Sequence, residues 1–459
     1  MSNLTPAQQA FIATLQKEAN KQLQGLLDGS FEPMSVPGGF YWANQGGPNN
    51  VFNPNMLAQV DCVVEQGNNG ILTLGSQSFT SAYKNALQKI TYALGTADQA
   101  GVNKDAIAFA TESAALVNAW EKSTSTKIDL SKEPDLFPKT KLRYVLREVA
   151  KNWPNGKIPA YMDSFIPAYM AFKLKAAKTM ALQQGEIAAE ERREAAMANL
   201  QATTSNGGLE IDGGSYLPAF GPFKTPGKIN GDLGSPNALS VSFDLSSFNS
   251  QHSKLQIGGQ VVANVPLDIV KIGVSSGAAY GLSKYASQAT KIRVKATYEG
   301  LCVVSSPLTA GVLATNLDKG WYANEILAEA AKNQRGVDTG YSFILGNDPA
   351  KQFGPGAPLS RIKTWVISRE PTLEFEFTTS SAASIKADFS QGASVSFDLF
   401  GFIGGSVNNK YEVSDLTTNS AAGTVSLTLR DNQPTAAMTW DQRTAFVIGG
   451  VPSYPPVAP

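Results

Sequence analysis

A chain of 459 residues exceeds what one hydrophobic core supports and predicts two or three domains. Its 38 Lys+Arg balance 38 Asp+Glu, and charged residues are only 17% of the total, below the roughly 25% of ordinary soluble domains. The basic surplus that duplex nucleic acid demands is missing, which argues against nucleic acid as the main partner.

The first 22 residues read as a polar helix without the apolar core of a secretory signal. A run of roughly 18 apolar residues, the minimum for a membrane helix, occurs nowhere. Synthesis as a soluble cytoplasmic species is expected, with any release by a route other than a Sec signal. Thr5 as N-cap and Pro6 at the first helical position open a helix whose Phe11, Leu15, Ala19, Leu23 and Leu26 recur at helical spacing. Residues 30–77 are rich in Gly, Asn and Pro but carry Phe31, Phe40, Tyr41, Trp42 and Phe52, which predicts an ordered loop with one strand near 57–64.

Helical spacing continues over 78–94, 103–121 and 139–152, and then over 159–202 with Pro167 as a kink. The first half of that last helix is apolar enough to sit centrally in a bundle. Its second half carries Glu186, Glu190, Glu191, Arg192, Arg193 and Glu194, as a solvated helix end or a partner-binding helix would. Gly and Pro then crowd 206–237 without periodicity, marking a linker.

Beyond it the period becomes two, with strands at 239–245, 255–262, 267–274, 290–304, 362–368, 372–378, 384–389, 393–400, 424–429 and 436–448, and one helix at 320–333. Residues 451–459 hold Pro452, Pro455, Pro456 and Pro459 and read as a surface extension. The expected fold is α+β and multidomain. A helical bundle occupies 1–205, the linker 206–237, and an antiparallel β-rich, sandwich-like region 238–450.

One hexapeptide occurs twice in that region, Ser240-Val241-Ser242-Phe243-Asp244-Leu245 and Ser394-Val395-Ser396-Phe397-Asp398-Leu399. Each copy leads into a Phe (Phe248, Phe402) and an Ile-Gly-Gly-x-Val stretch. Alternation of Val, Phe and Leu with Ser and Asp gives an extended segment one apolar and one polar side. The repeat suggests either a duplicated β element, with halves at 238–345 and 360–450, or two strands in equivalent roles of one sandwich.

Catalytic signals are few. The single histidine, His252, lies in a polar stretch that reads as a turn, and histidine-based zinc or iron sites need more imidazoles. Gly273-Val274-Ser275-Ser276-Gly277 spells a nucleophile elbow, but its continuation reads as strand and the histidine precedes it. Cys62 and Cys302 read as two buried free thiols. No catalytic, metal or cofactor residue is singled out, and no cofactor is expected.

More informative are the alternating, small-residue stretches around 269–299 and 380–405, a style that suits membrane-inserting β-hairpins and also edge strands that pair between subunits. Lys271, Ser275, Tyr280, Tyr285, Ile385, Phe389, Val395, Phe397, Leu399 and Phe402 are the candidate membrane or assembly positions. The first expectation is a non-enzymatic, toxin-like membrane-active protein that oligomerises through its β-rich half, with a membrane surface or receptor as partner. The alternatives are a self-assembling shell, sheath or filament subunit and a carboxylate-dependent hydrolase. A homo-oligomer suits the first two.

Overall fold

The computed structural model describes residues 6–456 except 35–38, 43–52, 67–70, 105, 135, 137–138, 154–156, 176, 199, 201–208, 212–214, 218–222, 250–251, 258, 267–270, 274–278, 282–284, 286–287, 309–320, 345–348, 391–410 and 432–443. Eleven α-helices and twenty strands among the described residues make a mixed α+β fold.

Helix α1 (Pro6–Gln22) buries Ile12, Leu15 and Ala19. Short strands β1 (Glu32–Pro33) and β2 (Gly39–Tyr41) follow. Where alternation predicts a strand at 57–64, the structure has α2 (Pro54–Val60). Its cap decides the matter: the Asn55 N–H donates to Asn53 Oδ1 at 2.9 Å, with Pro54 opening the helix. Strand β3 (Cys62–Gln66) begins only afterwards and pairs with β4 (Leu72–Ser78). Ser78 caps α3 (Phe79–Gln88). Six residues short of the predicted end the chain extends, because Ile90, Thr91 and Tyr92 favour β5 (Ile90–Ala93).

Helices α4 (Thr96–Lys104), α5 (Ala106–Thr124) and α6 (Lys141–Asn152) come next. In place of one helix over 159–202 stand a 3-10 turn (Ala160–Met162), α7 (Phe165–Lys175) and α8 (Ala177–Ala198). Pro167 occupies the first turn of α7, where N–H groups lack intrahelical acceptors anyway. The predicted linker is also structured in part, carrying a hairpin of β6 (Leu209–Ile211) and β7 (Ser215–Leu217) and then α9 (Pro226–Leu233), whose Ile229 and Leu233 are buried.

The second half contains β8 (Ala238–Ser246), β9 (His252–Ile257), β10 (Gln260–Pro266), β11 (Lys271–Gly273), β12 (Ala279–Gly281), β13 (Ala289–Glu299), β14 (Cys302–Ser305) and α10 (Asn324–Lys332). Then come β15 (Gly340–Phe343), β16 (Arg361–Ser368), β17 (Thr372–Thr379), α11 (Ala382–Ser390), β18 (Tyr411–Asn419), β19 (Thr424–Asp431) and β20 (Thr444–Ser453). A seven-stranded antiparallel sheet runs in the order β10-β9-β8-β13-β17-β19-β18. A five-stranded sheet runs β1-β20-β16-β14, with β2 also on β20.

The first hexapeptide lies in β8, where Leu239, Val241, Phe243 and Leu245 are buried and the alternate side chains face outward. The second copy, 394–399, lies outside the described residues, as does the predicted strand 393–400. The strand predicted at 384–389 is instead α11: helix formers Ala382, Ala383, Lys386 and Ala387 outweigh a fortuitous alternation.

The predicted strand 290–304 divides at Gly300 (φ +66°) into β13 and β14, which belong to different sheets. A second passage between the sheets, from β16 to β17, lies beside it. Arg369 joins the two corners, donating its N–H to the Glu299 carbonyl at 2.9 Å and pairing Nη2 with Glu299 Oε2 at 3.0 Å. The predicted C-terminal extension is also partly strand, since Val451–Ser453 complete β20 and Val451 is buried.

Three apolar clusters organise these elements. In the first, α1 and the inner face of the seven-stranded sheet meet Val366, Phe446 and Ile448 from the five-stranded sheet. The second takes Trp365, Ile367, Ala445 and Val447 from alternate positions of β16 and β20, together with α3, α10, Trp321 and Tyr322. Strands β16 and β20 are therefore covered on both faces, which is why they read as continuous apolar runs rather than alternating ones. The third joins α5, α6, α7 and α8 through Leu116, Trp120, Val145, Leu146, Phe165, Phe172 and Ile187. Packing crosses the sequence-drawn boundary at 206–237: α1 shares the first cluster with the large sheet, and β5 pairs with β15.

Candidate assembly surface

The sequence-predicted positions do not form one surface among the described residues. Lys271 and Tyr280 lie in the small β11–β12 hairpin, opposite Gly281 and Ile272. Tyr285 and Ile385 are fully buried in the first cluster, Tyr285 with its ring 5.6 Å from that of Phe377. Phe389 lies on α11, and Ser275, Val395, Phe397, Leu399 and Phe402 lie outside the described residues. His252 opens β9 opposite Pro266, so it belongs to a strand where a turn is predicted. Cys62 and Cys302 are free thiols, Cys62 half-buried and Cys302 buried. Burial pushes the Cys302 thiol up to about 12, which leaves it a poor nucleophile at neutral pH.

The polar side of the large sheet is an ion-paired ladder. Asp244 of β8 receives Lys291 Nζ at 2.8 Å and Arg293 Nε at 2.9 Å from β13, and Lys295 reaches Glu374 of β17 at 3.2 Å. Burial opposes ionisation of Asp244, yet hydrogen bonds from Arg293 and Lys291 outweigh it and hold the carboxyl below its usual range.

Helix α8 uses its charges inwardly, unlike a solvated end. Arg143 of α6 pairs with Glu186 at 2.8 Å. Burial pushes the Glu186 carboxyl up although Arg143 faces it. One turn on, Glu190 accepts from the Tyr92 N–H at 2.8 Å, from Thr91 Oγ1 at 3.2 Å and from Arg193 Nε at 2.8 Å. The helix is thus pinned to α6 on one side and to β5 on the other.

A buried polar group also lies in the second cluster. Arg361 of β16 donates Nη2 to the Ser306 carbonyl and, at 2.8 Å, to Ser306 Oγ, with its guanidinium 5.8 Å from the Phe79 ring centre. Burial pulls its pKa down to about 10 although Asp61 and Tyr322 oppose this. Nearby, Tyr83 Oη accepts from the Ala323 N–H at 2.8 Å and donates to the Trp321 carbonyl at 3.2 Å. These contacts hold α3 against the segment before α10. Among the described residues no three His, Cys, Asp or Glu side chains come together as a metal site, and no helix is long and apolar enough to cross a membrane.

What sequence reasoning misses is the exposed face of α7, since the helix is predicted but its Met170 and Leu174 are expected inside a bundle. Its inner face packs Phe165, Tyr169 and Phe172 into the third cluster. Its outer face carries exposed Pro167, Met170 and Leu174 at i, i+3 and i+7, and Tyr161 in the preceding 3-10 turn is exposed as well. Tyr161 is 76% exposed, Met170 60% and Leu174 87%. The other large exposed apolar side chains, such as Leu26, Val261 and Val337, lie on separate elements and need no explanation. The signal for α7 is present in its letters, since a helix apolar on every side leaves no face for water. No family model, curated protein or solved structure matches the chain.

Proposed function

We propose that the protein is a non-enzymatic, self-assembling structural subunit of a shell, sheath or filament, in which helices α5–α8 act as a bundle projecting contacts from a sandwich-like β body. The carrying observation is the exposed apolar face of α7, set on a helix cluster whose other large apolar side chains, among those described, are buried or partly buried. The low charge and the abundance of small polar residues suit repeated contacts between copies. In this reading the division of the chain follows the clusters, with 106–198 as the contact-bearing unit.

Membrane insertion through the described strands is the weaker reading. The apolar sides of β8, β13, β17 and β19 are occupied by the core beneath α1, and Lys291, Arg293 and Lys295 line the other side of β13. Insertion would have to undo both. Size-exclusion chromatography with light scattering, run over a concentration series beside liposome dye release, tests the assignment. Growth into regular particles without leakage is expected. Leakage with a ring-sized oligomer would replace this reading with the membrane-active one, and a monomer inert in both assays would remove both.

A further inference from the structure

We propose that Glu32, Gln66 and Tyr454 form a proton-operated latch: the protonated carboxyl keeps the segment that follows β20 closed against β1 and β3, and ionisation lets that segment open. The device stands apart from the assembly reading and holds whether or not copies of the chain associate.

Three segments far apart in sequence meet here. Glu32 opens β1 opposite Gly450 of β20, Gln66 closes β3 opposite Leu72 of β4, and Tyr454 follows the last residue of β20. The Gln66 amide bridges the other two, giving Nε2–H to Glu32 Oε2 at 2.6 Å and taking the Tyr454 hydroxyl on Oε1 at 2.8 Å. Both ends of one amide are committed, so its orientation is set by its two neighbours. The register of β20 on β16 ends with Ser453 opposite Arg361. Beyond it the Tyr454 hydroxyl and the buried Pro455 anchor the chain.

An ionised carboxylate offers about four acceptor sites, and among the described residues Gln66 is the one hydrogen-bond donor to half-buried Glu32. The charged groups of the surrounding elements are engaged elsewhere. Lys363 of β16 pairs with Asp28 at 2.9 Å, Arg361 donates to Ser306, and Glu65 lies on the opposite, exposed side of β3. Strands β4 and β20 carry no charged residue. Tyr454 is a neutral phenol, which burial and the Glu32 charge push up to about 12. Only water can complete the shell of ionised Glu32, and the segment held by one hydrogen bond yields to it before the strands do. Burial accordingly pushes the Glu32 carboxyl from 4.5 up to about 7, with Gln66 offsetting part of the effect. The raised value belongs to the closed form, so closure is fully favoured below pH 4.5 and is lost as pH climbs through 7.

Hydrogen–deuterium exchange of the full chain at about pH 5 and pH 8, corrected for the intrinsic pH dependence of amide exchange, reads the latch. In the wild type, opening of the peptide from Val451 to Tyr454 should rise at least about tenfold between the two conditions. In Glu32→Gln, whose side chain keeps the shape and cannot ionise, the same peptide should change by less than about twofold. Tyr454→Phe removes the far end of the relay. Its opening at the lower pH should exceed that of the wild type by about fivefold, the worth of one hydrogen bond, with the response to pH retained.

Strands away from the latch supply the control. The central strands β8 and β13 should keep their protection at the higher pH; if they lose it by the same factor, the carboxylate acts on the whole fold and the latch is wrong. An equal response of the wild type and Glu32→Gln, or no response in the wild type, would overturn the proposal. So would a Tyr454→Phe chain that exchanges like the wild type in acid, because the phenol would then not hold the segment.

Discussion

Replacing Glu32 by Gln should make the protein more stable above neutral pH and leave it nearly unchanged in mild acid. Glu32 of β1 sits opposite Gly450 of β20, where Gln66 Nε2 donates to its Oε2 at 2.6 Å and Tyr454 Oη donates to Gln66 Oε1 at 2.8 Å. Burial pushes this carboxyl from an ordinary 4.5 up to about 7, and the hydrogen bond from Gln66 offsets only part of the effect. The folded state therefore prefers the protonated form. Below pH 4.5 both states hold the proton and the stability is fully present; as pH climbs through 7 the unfolded chain ionises first and that stability is lost.

At about 1.36 kcal/mol per pH unit the full effect approaches ~3.4 kcal/mol. The carboxyl is only half-buried, so solvent screening reduces the expected loss to roughly 1–2 kcal/mol. The Gln side chain keeps an oxygen for Gln66 Nε2 and has no charge to desolvate. Urea denaturation at pH 5 and pH 8 measures the difference. The variant should gain about 1–2 kcal/mol at pH 8 and far less at pH 5. An equal change at both pH values, or a less stable variant at pH 8, would show that ionised Glu32 is not the destabilising species.

Five other substitutions, at four positions, probe the fold. Phe243→Ala should cost about 3–5 kcal/mol, because Phe243 is buried in a central strand, whereas its outward neighbour Ser242→Ala should change stability by less than about 0.5 kcal/mol; thermal unfolding distinguishes them. Arg361→Ala should cost about 3–5 kcal/mol by opening a cavity and stripping Ser306 and Asp61 of their cation, and Arg361→Met should cost less, as read from denaturant midpoints. Gly300→Ala should lose more than about 2 kcal/mol, since φ is +66° and a Cβ would collide with the Leu233 carbonyl oxygen. A soluble Gly300→Ala protein with an unchanged melting temperature would contradict the corner described for β13 and β14.

The legible parts of the fold are those where one physical demand governs a segment. Strand β8 faces the core on one side only, so Leu239, Val241, Phe243 and Leu245 alternate and can be read directly. Strands β16 and β20 face apolar clusters on both sides, and the runs Trp365-Val366-Ile367 and Ala445-Phe446-Val447-Ile448 show it. Reading fails where two demands compete within a few residues. Ser384 to Phe389 alternate like a strand, but the propensity of the surrounding alanines sets a helix. Strand β18 mixes Glu412 and Asp415 among its letters as an edge strand does, and goes unpredicted. For α7 the apolarity is readable, but whether its second face meets the same chain or another is decided only by where α5, α6 and α8 stand.

That placement gives the α7 face its consequence. Helix α8 belongs to two cores at once, with Ile187 in the helix cluster and Ala189 and Ala196 in the cluster that contains β16 and β20. Between them, Glu186 is held by Arg143 and Glu190 by the β5 backbone, so rotating α8 about its axis would strand a buried carboxylate on one side or the other. Such a penalty is of the order of a few kcal/mol per unpaired charge, more than a surface contact supplies. Helix α7 packs on this pinned helix and on α5, which fixes its outer face relative to the sheets. If copies of the chain meet at Met170 and Leu174, that contact would also set the mutual orientation of their β bodies. Weakening the Arg143–Glu186 pair should loosen that orientation before it unfolds either core.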